Sequence, residues 1–474
     1  MGSLTKETIL LWGAFGGLLV IFWSFTYWRA AVKTALIAAL FEGAIRKWGL
    51  PSGQELVYFL KDILLVGAYC RFFLFPDPAI RAVKVRGPAT LMMIVAAIVS
   101  LSALNPNIGS AIVAAMGMKI YFLYIPLAFM MPYLFKDERD LARQLSWFIL
   151  LAIPICALGF LQFRSPYFSV LNVYAHSTDE LAGVATFGSD TRARITGTFS
   201  YISGMATFLV LFTGLSLALL VSQQAKFRKT ILFVILPMLA ANGLMSGSRS
   251  AVFAQLIMVG AYFLVSPFFG ASGKRSNVVT AVAVVGILGI SFSLFFLDAR
   301  KAYEERTGGE EQKKEMAWRI LWPITSVGMA FDDGGFFGYG IGLTHPASSA
   351  IRDALHIRRP KKTPPFFEAE TGQIATELGL IGFIAWYFMR FYLLFATWTA
   401  FRNCPKGFYK ALIFIFLLYS GIEMHVQFIY NHTAQFYFWA FYGITFIPFM
   451  ERLTFRRRDS PNRADRSQQP VALS

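Results

Sequence analysis

The chain has 474 residues, of which 56% are hydrophobic and only 15% charged, and its 44 lysines and arginines outnumber its 27 acidic residues. A soluble domain averages roughly 25% charged residues, so this chain has too few charged side chains to cover a water-facing surface. The composition argues against a soluble enzyme, a nucleic-acid-binding protein and a disordered chain. The basic residues lie in short stretches between apolar segments, where they set membrane topology rather than bind nucleic acid.

Apolar segments recur along the whole chain, and a helix of about 20 such residues crosses a hydrocarbon core about 30 Å thick. We therefore predict an all-α, polytopic membrane bundle of about 12–14 spans with a large helical extracytoplasmic loop. The predicted spans are 9–28, 31–47, 56–75, 88–104, 111–133, 146–163, 199–221, 229–245, 249–268, 277–297, 373–397, 408–427 and 431–450. The second is the weakest because Lys33, Glu42 and Arg46 lie within or beside it, so it is predicted as a span, half-buried or re-entrant.

The basic residues of the short loops divide unequally between the two predicted faces. One alternate set of loops holds 23 lysines and arginines and the opposite short segments hold 7. Because short cytoplasmic loops carry the excess, we predict a cytoplasmic basic tail at 451–474, resting near anionic lipid headgroups, and an outer N-terminus. The three cysteines are too few and too scattered for a disulfide framework or a metal site, and we expect no cofactor.

Three basic residues fall inside predicted spans, where an unpaired charge is costly. Lys61 adjoins Asp62, and we expect these two to form a locally neutralised pair. Lys119 and Arg390 have no sequence neighbour of opposite sign. They need partners from other helices or a position near the interface.

Two predicted outer segments are longer than connection requires, 164–198 and 298–372. In the second, the stretch from Glu304 to Phe331 can form an amphipathic helix, GGFFGYGIG is a glycine-rich turn, and SSAIRDALHIRR predicts a second short helix. We interpret 298–372 as a folded periplasmic cap between the N-terminal helices, 1–297, and the C-terminal helices, 373–450.

Four arginines gather at the predicted outer face: Arg192 and Arg194 before a span, Arg249 at a tight turn, and Arg319 in the cap. A guanidinium stays charged and offers a planar fork that matches phosphate oxygens. Several arginines at one membrane face therefore favour a diphosphate ligand. The alternative is that each anchors a helix end or pairs with an acid.

Several segments together resemble the superfamily of O-antigen ligases and O-antigen polymerases. They are RITGTFSYISGMATFLVLF at 194–212, SGSRSAVFA at 246–254, WRILWPITSV followed by GFFGYGIG within 318–342, and ETGQIATELGLIGFIAW at 370–386. In addition, FEGAIRKWGLP and YFLKD within 41–62 resemble a subgroup of exopolysaccharide polymerase-like members.

The resemblance implies a multi-pass protein of the bacterial inner membrane that acts at its outer, periplasmic side. Such enzymes transfer a glycan from undecaprenyl diphosphate to an acceptor hydroxyl without a metal. The implied partners are the lipid-linked donor, the glycan acceptor, the bilayer and chain-length regulator or flippase proteins. The acceptor is another lipid-linked repeat unit in polymerases and lipid A-core in ligases. Arg194, Arg249 and Arg319 match the arginines thought to engage the diphosphate.

The carboxylates depart from the ligase pattern. Many ligases carry a His-Asn pair nine residues before the glutamate that matches Glu377, and Glu368, Ala369 and Glu370 stand there instead. This favours a polymerase-like enzyme with a carboxylate as general base, Glu368 ahead of Glu370 by its position. Either glutamate can instead hold an arginine in place. Glu377 is expected to orient Arg319 or Arg249.

Histidines supply further candidates. His345 follows the glycine turn and is expected to line the site. His425 and His432 flank the last outer turn, where they either bind sugar hydroxyls or form a satisfied helix-end network. The function from another class that fits the same composition is a secondary transporter or flippase of lipid-linked glycan, which would place ionisable groups at the bilayer midplane on broken helices.

Overall fold

The computed structural model describes residues 6–77, 86–175, 184–187, 192–270, 310–345, 347–354, 356–357, 360 and 362–448. Within these ranges the regular structure is helical, and the only β-type pairings are two isolated bridges, Pro166 with Arg192 and Thr186 with Ala193. The predicted all-α class is therefore confirmed for the described residues. The predicted span 277–297 and the tail 451–474 lie outside them.

The helices follow one another in this order: α1 Lys6–Thr26, α2 Trp28–Ala44, α3 Gln54–Tyr58, α4 Leu60–Tyr69, α5 Arg86–Leu101, α6 Ala111–Phe122, α7 Leu127–Met130, α8 Glu138–Leu150, α9 Ala152–Arg164, α10 Ile202–Val221, α11 Arg228–Thr230, α12 Leu236–Met245, α13 Arg249–Val265, α14 Glu310–Gly334, α15 Ala347–Ala354, α16 Glu370–Asn403, α17 Phe408–Ile422 and α18 His432–Ile444. Short 3-10 or π-helical turns lie between or extend them at Ile45–Gly49, Pro51–Gly53, Cys70–Leu74, Ser102–Leu104, Met131–Tyr133, Val170–Asn172, Ile231–Ile235 and Ser266–Phe269.

Six helical segments of the described chain are long and apolar enough to cross a membrane: Ala111–Tyr133, Glu138–Arg164, Ile202–Val221, Arg228–Met245, Arg249–Phe269 and Glu370–Asn403. Each coincides with a predicted span, and together they make the chain compatible with a multi-pass membrane protein. Three shorter apolar helices, Phe15–Thr26, Thr90–Leu104 and Phe408–Ile422, coincide with further predicted spans.

Helix α10 lies at the centre of the bundle. It is apolar around its whole circumference, and nearly all of its residues are buried. A helix with that pattern has no face suited to water and packs on every side. It contacts α8, α12, α13, α17 and α18.

Chain segments that were predicted to share one side of the membrane contact one another at one end of the bundle. We call this the polar end, made of residues 43–49, 105–110, 192–201, 246–249, 335–345 and 423–432. Its contacts include Lys47 Nζ to Thr196 Oγ1 (3.0 Å), Arg194 Nε to Ser246 O (3.1 Å), Asn105 Nδ2 to Gly338 O (3.0 Å) and Asn107 Nδ2 to Tyr339 O (3.4 Å). Two segments predicted for the other side also meet, since Arg29 Nε donates to Tyr133 O at 3.3 Å.

Helix α16 reverses direction at Gly379, whose φ of 64° and ψ of −170° are not helical. Glu370 Oε1 lies 3.5 Å from Arg390 Nη1. Twenty residues of straight helix would separate the two by about 30 Å, so the two arms fold back on each other. The single predicted span at 373–397 is therefore corrected to a short arm, 370–378, and a membrane-length arm, 380–403.

The glycine-rich segment satisfies the backbone groups that the reversal frees. Tyr339 N donates to Thr376 O (2.8 Å) and Gly340 N donates to Glu377 O (3.0 Å). A Cβ atom on Gly379 would overlap the backbone of Gly338. Non-helical backbone among membrane helices is tolerated where other parts of the protein pair with it, as here.

The same segment then runs along α6 into the bundle. Gly340 packs against Ile108, and Gly342 packs against Val113 and Gly117. Two residues farther on, Thr344 reaches Glu377, which also accepts from Tyr121 near the end of α6. The predicted glycine turn is thus present and continues as a series of turns and bends that carries Thr344 and His345 inward.

Both helices predicted within 298–372 are present, α14 from Glu310 and α15 over Ala347–Ala354. Helix α14 packs along α16, where Thr371 Oγ1 donates to Pro323 O at 2.6 Å. Arg352 Nη2 donates to Ile108 O at 2.6 Å and ties α15 to the loop between α5 and α6.

Replacing Gly379 by alanine tests the reversal. The side chain would require a backbone conformation that glycine alone adopts freely and would overlap Gly338, so we expect a loss of about 3 kcal/mol or more in unfolding free energy. The matched control is Gly328→Ala in α14, where an added Cβ meets no atom within 4 Å and stability should stay the same or rise slightly. Thermal unfolding of the purified protein measures both, and equal melting temperatures for the two variants would contradict the reversal.

Candidate functional site

A polar cavity of about 180 Å³ opens at the polar end between α2, α10 and the start of α18. Its lining combines charged groups, hydroxyls and aromatic rings. The lining residues are Ala39, Glu42, Gly43, Arg46, Tyr58, Lys61, Phe199, Ser200, Tyr201, Ser203, Gly204, Tyr430, Asn431, His432 and Thr433. These come from segments separated by up to some 400 positions in the chain, so the fold alone creates this site.

Two buried ion pairs lie at and behind the cavity wall. Lys61 Nζ pairs with Glu42 Oε2, and Lys119 Nζ pairs with Asp62 Oδ2 at 2.8 Å. The predicted pairing of Lys61 with Asp62 is therefore wrong. Consecutive residues on a helix point in different directions, so adjacent charges cannot face each other and each finds a partner on another helix.

The partners expected for the other intramembrane charges are present. Lys119 on α6 reaches Asp62 on α4, and Tyr124 OH donates to the second oxygen of Asp62 at 2.7 Å. Arg390 pairs with Glu370 and donates from Nη2 to Glu423 O at 2.5 Å. The prediction of a partner on another helix is confirmed for Lys119. Arg390 pairs instead with the short arm of its own helix, α16, and with the carbonyl of Glu423 at the end of α17.

Tyr58 connects the cationic groups of the site. Its hydroxyl is hydrogen-bonded to His432 Nε2, and its ring lies 4.1 Å from Lys119 Nζ and 5.4 Å from the guanidinium carbon of Arg46. Cations are attracted to the faces of aromatic rings. The ring therefore holds positive groups close together at the cavity.

The end of α2 is fitted against the segment that precedes α10. A Cβ on Gly43 would overlap the backbone of Ser200, so glycine allows the close approach. Beyond it, Arg46 Nη1 donates to Ser200 Oγ at 3.0 Å, and Lys47 Nζ donates to Gly197 O at 2.8 Å. The EGAIRK sequence thus anchors α2 to residues 196–200.

Two of the four predicted diphosphate arginines lie at one turn. Arg194 Nε donates to Ser246 O at 3.1 Å, and Arg249, exposed to solvent, is the first residue of α13 after its N-cap Ser248. The 246–249 turn therefore brings residues 194 and 249 together although 55 positions separate them. The N-terminus of α13 adds exposed backbone N–H groups, which favour anions.

The remaining predicted arginines are placed differently. Arg192 is half-buried, with its guanidinium carbon 5.5 Å from the centre of the Phe163 ring. Arg319 belongs to α14, and its side chain lies outside the described part of the structure. Tyr174 OH donates to Arg194 O at 3.1 Å, and burial raises the pKa of Tyr174 above its ordinary value, so the donor stays protonated. This contact holds the segment that bears Arg194.

The predicted carboxylates differ in environment. Glu368 is exposed, whereas Glu370 is buried against Arg390 and accepts from the backbone N–H groups of Phe428 and Ile429, the latter at 2.7 Å. Glu370 thus lies as the alternative prediction expects, where the glutamate holds an arginine in place.

Glu377 is also buried, on the short arm of α16. It accepts from Thr344 N and Oγ1, both at 2.9 Å, and from Tyr121 OH at 3.0 Å. These donors differ from the arginines expected for it. Glu377 therefore fixes the inner end of the glycine-rich segment against α6.

The histidines divide between the cavity and the surface. His345 lies with its ring centre 5.5 Å from Tyr430 and 6.1 Å from His432, while His425 is exposed. Beside them, Asn431 caps α18 and its amide donates to Thr207 Oγ1 at 3.0 Å. The turn before α18 thus contains a helix-end hydrogen-bond network, and His345 and His432 lie beside it near the cavity.

Sequence patterns did not identify four of the lining residues as site residues: Glu42, Arg46, Tyr58 and Lys61. Their only signal was the pair of segments FEGAIRKWGLP and YFLKD, in which charges interrupt an apolar region. Their partners lie on α6, on α18 and before α10, so the cluster exists only after folding.

A double-mutant cycle tests the corrected pairing. Lys119→Met leaves Asp62 buried without its charge partner, and we expect a loss of about 3–5 kcal/mol in unfolding free energy. Asp62→Asn in the Lys119→Met background should cost far less than in the wild type. The cycle between Lys61 and Asp62 should show coupling below about 0.5 kcal/mol. Arg143→Ala, which removes an exposed pair with Asp140, is the control and should cost under about 1 kcal/mol.

Chemical denaturation of the protein in bicelles gives these free energies. Strong coupling between Lys61 and Asp62 together with none between Lys119 and Asp62 would contradict the arrangement.

Comparison of the chain with models of protein families, with curated proteins and with solved structures finds no match.

Proposed function

We propose that this protein is a metal-independent membrane glycosyltransferase that uses an undecaprenyl-diphosphate-linked oligosaccharide at the outer face of the bacterial inner membrane. The product in this proposal is a surface polysaccharide built from repeat units. The observation that carries the proposal is the hydrogen bond from Arg194 to Ser246, which puts two arginines, 194 and 249, at one helix N-terminus. Arg192 and Arg319 complete the proposed diphosphate site.

The chemistry needs charge stabilisation on the leaving diphosphate. Guanidinium groups fixed before the reaction stabilise the developing charge without reorganising, and one such donor is typically worth about 10²–10³ in rate. Arg194 is fixed through Ser246, while Arg249 is exposed at the start of α13, where a headgroup arriving from the bilayer can contact it. The N-terminal N–H groups of α13 add to the same field.

The acceptor hydroxyl needs a base. Glu370 is committed to Arg390 and to two backbone N–H groups, so a proton on it would disrupt the turn at 428–429. Glu368 is exposed two residues earlier in the chain. We assign Glu368 as the base and Glu370 as the group that holds Arg390.

A transporter or flippase of lipid-linked glycan is the second candidate, and two observations favour it. The ion pairs of Lys61 and Lys119 lie inside the bundle, and α16 is broken, as in many secondary transporters. Against it, each of these carboxylates is paired, and the break is filled by the glycine-rich segment. Among membrane glycosyltransferases, the alternative is a ligase that transfers the glycan to lipid A-core.

The purified protein incubated with an undecaprenyl diphosphate oligosaccharide should produce a ladder of repeats. Arg249→Ala should lower the rate about 10²-fold, and Glu368→Gln should lower it about 10²–10⁴-fold. Arg402→Ala, an exposed arginine at the other end of α16, is the matched control and should leave the rate unchanged. Gel separation of the labelled glycan gives the rates.

Other outcomes separate the alternatives. Transfer to added lipid A-core without a ladder identifies a ligase. Movement of unaltered substrate across liposomes with no new glycosidic bond identifies a transporter. Full activity in both Arg249→Ala and Glu368→Gln removes the site assignment.

A further inference from the structure

We propose that the cavity lined by Glu42, Arg46, Tyr58, Lys61 and His432 is a second binding site, distinct from the arginine turn at 194 and 246–249. Its ligand is the acidic group of a sugar-sized, polyhydroxylated molecule, either a carboxylate or a phosphate. This inference goes beyond glycosyl transfer, because it concerns binding and holds whatever reaction the protein performs.

The buried guanidinium of Arg46 lacks one hydrogen bond. Arg46 Nη1 donates to Ser200 Oγ at 3.0 Å, yet among the described residues its buried Nε has no hydrogen-bond partner. A buried N–H left without an acceptor costs about 1–3 kcal/mol. An oxyanion in the cavity would accept from this fork, for which two parallel N–H···O bonds are the usual geometry.

The charged side chains around the cavity are mostly basic. Among the described side chains here, Lys61 is paired with Glu42 and Lys119 with Asp62, whereas Arg46 and Lys47 donate to neutral oxygens. The described cluster therefore carries more basic than acidic groups. Such a cavity repels cations and gains from an incoming anion.

The rest of the cavity lining is rich in hydroxyl and amide groups. Ser200, Tyr201, Ser203, Tyr430 and Thr433 offer hydroxyls, and Asn431 offers an amide. Within the described structure, His432 Nδ1 is buried and has no hydrogen-bond partner, although its Nε2 is bonded to Tyr58. A ligand rich in hydroxyls would supply this nitrogen with a donor or an acceptor.

Size limits the ligand. A volume of about 180 Å³ holds at least about six water molecules, which corresponds to one sugar ring with its acidic substituent. An inorganic cation would leave most of the space unfilled, and an apolar ligand would leave the charged lining desolvated. A uronic acid and a sugar phosphate share the chemistry that fits.

The test uses a cysteine placed in the cavity wall. In a full-length protein with Cys70, Cys156 and Cys404 replaced by alanine, Ser203→Cys is modified with a sulfonate-bearing or a trimethylammonium-bearing methanethiosulfonate. Once each rate is divided by the rate of the same reagent with a free thiol in solution, we expect the anionic reagent to react at least about tenfold faster, a ratio that corresponds to 1.4 kcal/mol. Arg46→Gln should bring the ratio close to one, and Arg46→Lys should preserve it, which separates charge from folding.

Protection identifies the ligand. Methyl glucuronoside and glucose 1-phosphate, each at millimolar concentration, should slow modification several-fold, and neutral methyl glucoside should not. A control cysteine at Gln223, exposed at the other end of the bundle, should show no protection. Protection by the glucuronoside alone identifies a carboxylate ligand, and protection by the sugar phosphate alone identifies a phosphate.

Three results would overturn the proposal: the same charge ratio in Arg46→Gln as in the parent, equal protection by the glucoside, or no protection by either anion. None of them depends on glycan ladders. Failure here and failure of the proposed function are therefore distinguishable.

Discussion

A polar group buried among apolar helices must find its partner within the protein, and this requirement shapes the whole polar end. In lipid, an unpaired charge or backbone N–H costs several kcal/mol because no water can replace the missing partner. The chain meets the requirement with long-range contacts. Lys119 reaches Asp62 across 57 positions, and Tyr121 reaches Glu377 across 256.

The same requirement explains why the glycine-rich segment and the ETGQIATELGLIG segment occur together. Reversal of α16 at Gly379 leaves the carbonyl groups of Thr376 and Glu377 without helical partners. The backbone N–H groups of residues 339–340 donate hydrogen bonds to them. The two segments are thus one structural unit. They position His345 beside His432 and hold the short arm of α16, with Glu370, against the turn at 428–429.

At the cavity, the hydrogen bonds of two buried polar groups are incomplete, and this is where we expect a ligand to bind. Arg46 keeps an unpaired N–H, and His432 an unpaired ring nitrogen, within the described structure. Elsewhere at the polar end, the turn that joins Arg194 to the start of α13 presents cationic groups outward. Residues 196–200 connect these two regions, because they follow Arg194 in the chain and accept hydrogen bonds from Lys47 at the end of α2.

Sequence patterns predicted the helical class, the positions of the six membrane-length helices of the described chain, both helices within 298–372 and the need of Lys119 and Arg390 for distant partners. Those features follow from local composition and from the cost of isolated charge. The reversal at Gly379 was not predicted, because a glycine inside an apolar run is common in membrane helices and leaves no local trace. The predicted pair of Lys61 with Asp62 was wrong, because neighbouring residues of a helix point in different directions and each pairs with a group on another helix.

The cavity was missed for a related reason, since its lining comes from three separate parts of the chain.

The central claim is that the distant segments of the polar end lie on one side of the membrane, and cysteine accessibility tests it most directly. In a background without the three native cysteines, single cysteines at the exposed residues Ser250, Lys362 and Gln427 and at Lys136, Gln223 and Arg402 are labelled with an impermeant maleimide in intact spheroplasts. The account predicts labelling of the first three from outside and of the last three only after permeabilisation. Members of the first three labelled from opposite sides would contradict it.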